Sequence, residues 1–330
     1  MLPVKQKLSL LVAIPCLNEA ATIADVVANV PREIPGIDQV DVLVVDDGSS
    51  DETAAEAKQA GAIVVQHPGN RGVGAAFQTA AGYAVDRQYD LMVNIDGDRQ
   101  FNPQDIPKLV EPVLSGAADM VTASRFVDKS LIPDMPKVKL VGNHMMSYLI
   151  SRLIRQRFHD VSCGFRCYNR EALLRLNLHG AFTYTQESFL DFAVKNLRIK
   201  EVPIAVQYFP DRKSRVAGSI WKYAVNTATI IFRGYRDYFP LRFFSRISMA
   251  LVLPSIPLGL LFFGSYFVTG RFSGFLFAGF SAAFLFTLGV LFLVLGVVTD
   301  MLDRIRSNQE RILYHLKKHQ APAVPVDMEP

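Results

Sequence analysis

Residues 91–100 read LMVNIDGDRQ, an apolar run that ends on Asp96-Gly97-Asp98 and the polar pair Arg99-Gln100. A short run bounded by turn residues reads as a buried strand, and its carboxylates leave it two positions apart. Working outward, β-branched runs at 8–15, 40–46, 62–66, 91–96, 120–124 and 199–208 read as strands. Patterns at 19–30, 51–60, 73–86, 103–114 and 137–158 read as helices. Such alternation predicts an α/β fold, a Rossmann-like, mostly parallel sheet wrapped by helices, whose ligands bind beyond the carboxyl ends of the strands. The polar clusters Asn18-Glu19, Asp46-Asp47-Gly48-Ser49-Ser50 and Asp96-Gly97-Asp98-Arg99-Gln100 all fall at such ends.

Two carboxylates leaving a strand together suit Mg²⁺ or Mn²⁺ and the diphosphate such an ion bridges, because hard cations favour oxygen. Asp98 is the direct ligand on this reading, with Gln100 a second candidate. Capping of the next helix explains Ser50 or Asp51. It does not explain Asp46 and Asp47, which as carboxylates can accept from a nucleobase N–H or a ribose hydroxyl. His67-Pro68-Gly69-Asn70-Arg71-Gly72-Val73-Gly74 is neither a Walker loop nor a dinucleotide fingerprint, and reads as a tight helix entry.

Residues 247–270 and 272–299 hold no Asp, Glu, Lys or Arg. Each exceeds the roughly 20 residues a helix needs to cross a bilayer, so two transmembrane helices are expected. Pro254 and Pro257 are expected to kink the first, and Gly270-Arg271-Phe272 leaves a tight hairpin between them. Arg242 and Arg246 before the pair, and Arg304, Arg306, Arg311, Lys317 and Lys318 after it, outweigh Arg271 in the turn, which puts both termini in the cytoplasm. The apolar run at 8–14 is too short for a signal-peptide core, so the region before 240 is expected on the cytoplasmic side. Cys16, Cys163 and Cys167 suit reduced thiols there and lack zinc-finger spacing. A net charge of +4 fits anionic lipid or phosphorylated substrates and is too mild for nucleic acid. Over 221–239, Trp221, Val225, Ala228, Phe232, Tyr235 and Phe239 form one stripe beside Lys222, Asn226, Thr229, Arg233 and Arg236, the pattern of a helix lying in the lipid interface.

Five ordered motifs, Ile14-Pro15-Cys16-Leu17-Asn18-Glu19, Val45-Asp46-Asp47-Gly48-Ser49, Asp96-Gly97-Asp98, Ser124-Arg125-Phe126 and Asp160-Val161-Ser162-Cys163-Gly164-Phe165-Arg166, together resemble the family 2 glycosyltransferases of GT-A fold. The resemblance is nearest to polyprenyl-phosphate sugar transferases of the dolichyl-phosphate mannose synthase type and covers about 8–220. It implies that Pro15, Asn18, Glu19, Asp46 and Asp47 hold the nucleoside. Asp96 and Asp98 would hold metal and diphosphate, and Arg125 the donor phosphates. Asp160 and Arg166 would face the reacting centre, with Arg166, Arg215 and Glu187 near the acceptor phosphate. Gly97 stands where the family often has Ala, a change expected to matter little. The implied activity is inverting, metal-dependent transfer of a hexose from a UDP- or GDP-sugar to undecaprenyl or dolichyl phosphate at the cytoplasmic membrane face. A catalytic domain at 1–216, an interfacial helix at 217–244, a membrane hairpin at 245–300 and a basic tail at 301–330 follow. A homo-oligomer is left open. A processive synthase would need more spans and a Gln-x-x-Arg-Trp element, neither of which is present. Another lipid acceptor and a non-catalytic nucleotide-sugar-binding scaffold are the remaining alternatives.

Overall fold

A computed structural model describes residues 7–133, 135, 137–178, 184–207, 229, 232–271 and 275–319. Residues 221–228, 230 and 231 of the expected interfacial helix, the basic loop with Arg212, Lys213 and Arg215, the turn residue Phe272 and the tail 321–330 lie outside them. The chain divides into two compact units, Met1–Thr227 with Leu313–Pro330, and Ala228–Ile312.

The first unit is built on one seven-stranded sheet in the order β3-β2-β1-β4-β6-β5-β7. Its strands are β1 (Ser9–Cys16), β2 (Gln39–Asp46), β3 (Ile63–Gln66), β4 (Leu91–Asn94), β5 (Met120–Ser124), β6 (Arg166–Asn169) and β7 (Ile199–Pro203). β1, β2, β3 and β4 run parallel, as do β5 and β7, whereas β6 runs antiparallel to both its neighbours. Helices α1 (Ala20–Ala28), α2 (Thr53–Gln59), α3 (Val73–Asp86), α4 (Ile106–Leu114), α5 (Lys137–Ile154), α6 (Arg170–Arg175) and α7 (Tyr184–Val194) surround it. Leu10, Leu11, Val12, Ala13 and Ile14 of β1 are all fully buried because the sheet is covered on both faces. Six strands match the sequence expectation. β6 does not: four residues opening on a charged side chain carry no period-2 signal.

In the second unit, residues 232–238 are helical and two long helices follow, α8 (Pro240–Thr269) and α9 (Leu276–His319). Their apolar windows have mean hydropathy 2.0 and 2.5 and are only 11% and 17% buried, unlike the core helices of a soluble protein. Both are candidate membrane spans. Small residues let the two approach closely: a Cβ on Gly289 would lie 2.5 Å from Val252, and one on Gly296 would lie 3.0 Å from Phe244. At 44 residues α9 is about 66 Å long, roughly twice the hydrocarbon thickness. The expected end near 299 is passed because Asp300–Arg304, Asp303–Arg306 and Arg306–Glu310 pairs sustain a polar continuation. Within the first unit the last turns of α9 meet α6: Tyr314 donates to Glu171 Oε2 at 3.0 Å and Lys317 to the Leu176 carbonyl at 3.1 Å.

Candidate active site

Parallel pairing puts Cys16 opposite Asp46, and Ala13 opposite Asn94, so the ends of β1, β2 and β4 open on one edge. Four carboxylates converge there on the buried Cys16 thiol. Burial, then the charges of Glu19, Asp46, Asp96 and Asp98, push that thiol well above its usual range and keep it protonated. Asp98 accepts from the Gln100 amide at 3.0 Å, a local turn that sets the direction of its carboxylate. The Asp96 carboxylate packs over Gly164, where a Cβ would lie 3.3 Å from both its oxygens and 2.9 Å from the Tyr184 hydroxyl. Tyr184 is stacked 4.2 Å from Phe77 and receives a 3.0 Å hydrogen bond from Asn94, whose Nδ2 also donates to the Gly164 carbonyl. Asn94 Oδ1 is buried without a partner among the described residues, directly beneath this cluster. Thr22 donates to the Gly97 carbonyl at 2.8 Å and contacts the Glu19 carboxylate at 3.3 Å, tying the start of α1 to the Asp96-Gly97-Asp98 turn.

Gly97 matters more than expected. A Cβ there would stand 2.8 Å from Cys16 Sγ and 3.4 Å from Ile14, so the glycine is matched to the cysteine beneath it.

Asp46 and Asp47, expected at the nucleoside, also take hydrogen bonds from within the chain. Asp46 accepts from the Ser49 amide at 2.9 Å, from the Ser49 hydroxyl, and from Gln66 at 3.1 Å. Asp47 accepts from the Arg71 and Gly72 amides at 3.0 and 2.7 Å and meets His67 Nδ1 at 2.7 Å, whose Nε2 lies 2.9 Å from Thr79. These bonds hold loop 67–72 against loop 46–49 so tightly that a Cβ on Gly48 would fall 2.6 Å from the Gly69 backbone. Pro15 is buried at the end of β1. Asn18, in a left-handed conformation with φ 53°, receives Ser50 N at 2.8 Å and donates its own amide to Ser49. Together these residues build a laced floor, leaving Asn18 exposed and Glu19 half-exposed at its rim.

Arg125 and Asp160 form a buried bidentate pair, with Arg125 Nε 2.6 Å and Nη2 2.9 Å from the carboxylate. The Ser162 amide and hydroxyl and the Arg125 amide also donate to that carboxylate. Burial alone would raise the Asp160 carboxyl, but the Arg125 charge and these hydrogen bonds hold it below the usual carboxylate range. Asp160 is fully buried, and both its oxygens are engaged by Arg125 and Ser162. Arg166, expected at the reacting centre, is likewise fully buried. It donates to the Cys163 and Val161 carbonyls and to Ser188, and stacks 4.9 Å from Phe189, so it pins the 161–163 loop to α7. Glu187 lies one turn beyond Tyr184 in α7 and is half-exposed. Gln100 is half-buried, and its carbonyl accepts from the Gln207 amide at 2.9 Å.

Hard carboxylate oxygens at one strand edge fit Mg²⁺ or Mn²⁺. Among the described residues no three His, Cys, Asp or Glu side chains already gather at ligand separation. That suits an ion held by one or two carboxylates plus substrate phosphates. The sequence alone assigns no site role to Asn94, Tyr184, His67 or Ser162; His67 and Ser162 stand inside stretches quoted above and Asn94 two positions before Asp96, whereas Tyr184 carries no local signal.

The family model for glycosyl transferase family 2 matches residues 11–176. An uncharacterized protein of Methanocaldococcus jannaschii is 30% identical over 70% of this chain and 89% of its own. A polyprenol monophosphomannose synthase of Mycolicibacterium smegmatis is 30% identical over 63% of this chain and 81% of its own. A UDP-N-acetylglucosamine–dolichyl-phosphate N-acetylglucosaminyltransferase of Methanococcus voltae is 32% identical over 59% and 84%. The fold is shared with glucosyl-3-phosphoglycerate synthase of Mycobacterium tuberculosis, solved with Mn²⁺ and UDP, at TM-score 0.53, 23% identity, and 69% and 81% coverage. The matched stretch takes in the Asp96-Gly97-Asp98 turn, the Arg125–Asp160 pair and most of the sheet that carries them, and the chain belongs to glycosyl transferase family 2, a glycosyltransferase of GT-A-like fold.

Proposed function

We propose that this glycosyltransferase moves a hexose from a UDP- or GDP-sugar to a polyprenyl phosphate, with inversion and with Mg²⁺ or Mn²⁺, at the cytoplasmic face of a membrane. The observation that carries this is the carboxylate edge formed by Glu19, Asp96 and Asp98 in a chain that also bears two candidate membrane spans. The names of the mycobacterial and methanococcal relatives point to the same acceptor class. The excess of arginine and lysine outside the apolar stretches supports termini on the cytoplasmic side.

Asp96 and Asp98 would hold the ion, which when bound neutralises the diphosphate that leaves. Asn18 and Glu19, on the laced floor, face the nucleoside; Asp46 and Asp47 keep that floor in shape. A monoalkyl phosphate has a second pKa of about 6, so it arrives largely as a dianion and needs no base. This agrees with Asp160 being committed to Arg125. The harder task is to bring one anion to a carbon that another anion is leaving, and positioned cations perform it. Arg125, held by Asp160 and Ser162, is the first of these, and Arg215 is proposed as a second. Glu187 would orient the acceptor end, while Arg166 keeps the 161–163 loop in place. A single in-line displacement gives a β-linked product from an α-linked donor.

The test incubates purified protein with a panel of nucleotide sugars, Mg²⁺ or Mn²⁺ and undecaprenyl phosphate, and identifies lipid products by mass spectrometry. A hexosyl phosphoryl lipid from one donor supports the proposal. Absence of any lipid product across the panel, with the donors intact, refutes it.

A further inference from the structure

α5 buries one face and exposes another of unusual character. Met146 and Ile150 are 2% and 1% exposed, whereas Val141, Met145 and Tyr148, at helical spacing, are 61%, 55% and 60% exposed. Among the described residues of 7–207, the other exposed large apolar side chains, Ile63, Val73, Val127 and Val194, belong to four separate places in the chain. Residues 137–157 carry Lys137, Lys139, Arg152, Arg155 and Arg157 and no acidic residue. Arg152, Arg155 and Arg157 are exposed. An apolar stripe ending in cations, with a tyrosine and a methionine on it, is the composition of a surface that enters lipid headgroups.

We propose that the outward face of α5 is a bilayer-binding surface for anionic phospholipid. Charge decides between lipid and a second copy of the chain. A two-fold interface is self-complementary, so pairing this face with itself would set like charges together, whereas an anionic leaflet complements them. The buried side of the same helix is tied to the 158–162 loop: Ser147 Oγ receives the Val161 amide at 3.3 Å and Ser151 Oγ the Phe158 amide at 2.9 Å. That loop carries Asp160, the partner of Arg125. Lipid contact at α5 therefore bears on the element that orients Arg125, yet the surface itself stands whatever the acceptor is.

Full-length protein in nanodiscs tests this, since Cys16, Cys163 and Cys167 are all buried and leave introduced thiols to be labelled alone. Met145→Cys, Tyr148→Cys and, as a reference at the other sheet edge, Ile63→Cys receive an environment-sensitive fluorophore. Quenching by aqueous iodide and by doxyl-labelled lipid is then read in discs containing phosphatidylglycerol. The α5 sites should be about threefold less accessible to iodide than Ile63→Cys and about threefold more quenched by doxyl lipid. Iodide access equal to the reference overturns the proposal. So does protection from iodide without doxyl quenching, the signature of a face covered by residues 208–231 or by a second copy. Arg152→Glu with Arg155→Glu should cut the doxyl quenching to about half; unchanged quenching overturns the role of anionic lipid.

Discussion

Asp160→Asn isolates the buried pair. The carboxylate is fully buried and takes three hydrogen bonds from Arg125 and two from Ser162, while Arg125 is only 8% exposed. An amide keeps the shape but removes the charge, leaving a guanidinium in the interior without its counterion. Breaking a buried pair in this way costs about 3–5 kcal/mol. For a unit of roughly 200 residues that lowers Tm by about 6–20 °C. Because the Asp160 carboxyl lies below its usual range, the stability it adds is present above about pH 4 and lost as pH falls towards the folded value. The difference between parent and variant should thus shrink in acid. Arg125→Met with Asp160→Leu, which removes both charges, should recover most of the loss. Thermal unfolding of detergent-solubilised protein from pH 3 to pH 7.5 reads all three. A loss under about 1 kcal/mol at pH 7, or a difference that widens in acid, would refute the reasoning. In turnover, the same variant should lower kcat far more than donor affinity, since Asp160 acts through Arg125.

Asp98→Ala should abolish transfer and weaken Mn²⁺ binding, followed by electron paramagnetic resonance in the presence of nucleoside diphosphate; unaltered binding would remove Asp98 from the metal site. Tyr184→Phe leaves the 4.2 Å stack on Phe77 but removes the hydroxyl beside Asp96. Mn²⁺ affinity should fall about tenfold with Tm little changed, and equal affinity would separate Tyr184 from the site. Gly97→Ala presses on Cys16 Sγ and should cost about 1–3 kcal/mol; Cys16→Ala in the same chain should restore it, and failure to do so would discount the contact. Gly48→Ala, at φ 78° with its Cβ 2.6 Å from the Gly69 backbone, should destabilise the protein by about 2 kcal/mol or more in denaturant melts.

The sheet was legible because β4 and the greater part of β1 and β2 are buried apolar runs closed by polar turns, and the strand-end rule located the carboxylates. β6 escaped because its information lies in partners distant in sequence: Arg166 pairs across to Asn94 and Thr122 rather than following any local period. The direction of a side chain was equally hidden. Asp47, Asp160 and Arg166 read as substrate contacts in a linear motif, and their neighbours His67, Arg125 and Ser188 are supplied only by the folded chain. Tyr184 had no motif at all; its place is fixed by Phe77, Asn94 and the missing Cβ of Gly164. The candidate spans were plain from composition, while the helical extension to His319 depends on ion pairs at helical spacing within a region that reads simply as basic.

The acceptor phosphate acting as its own nucleophile is the centre of this account, and comparing undecaprenyl phosphate with unphosphorylated undecaprenol, each supplied with an α-linked sugar nucleotide, tests it most directly. The account predicts a β-linked, acid-labile sugar phosphate from the first and nothing from the second. Transfer to the free alcohol, or an α-linked product, would contradict it.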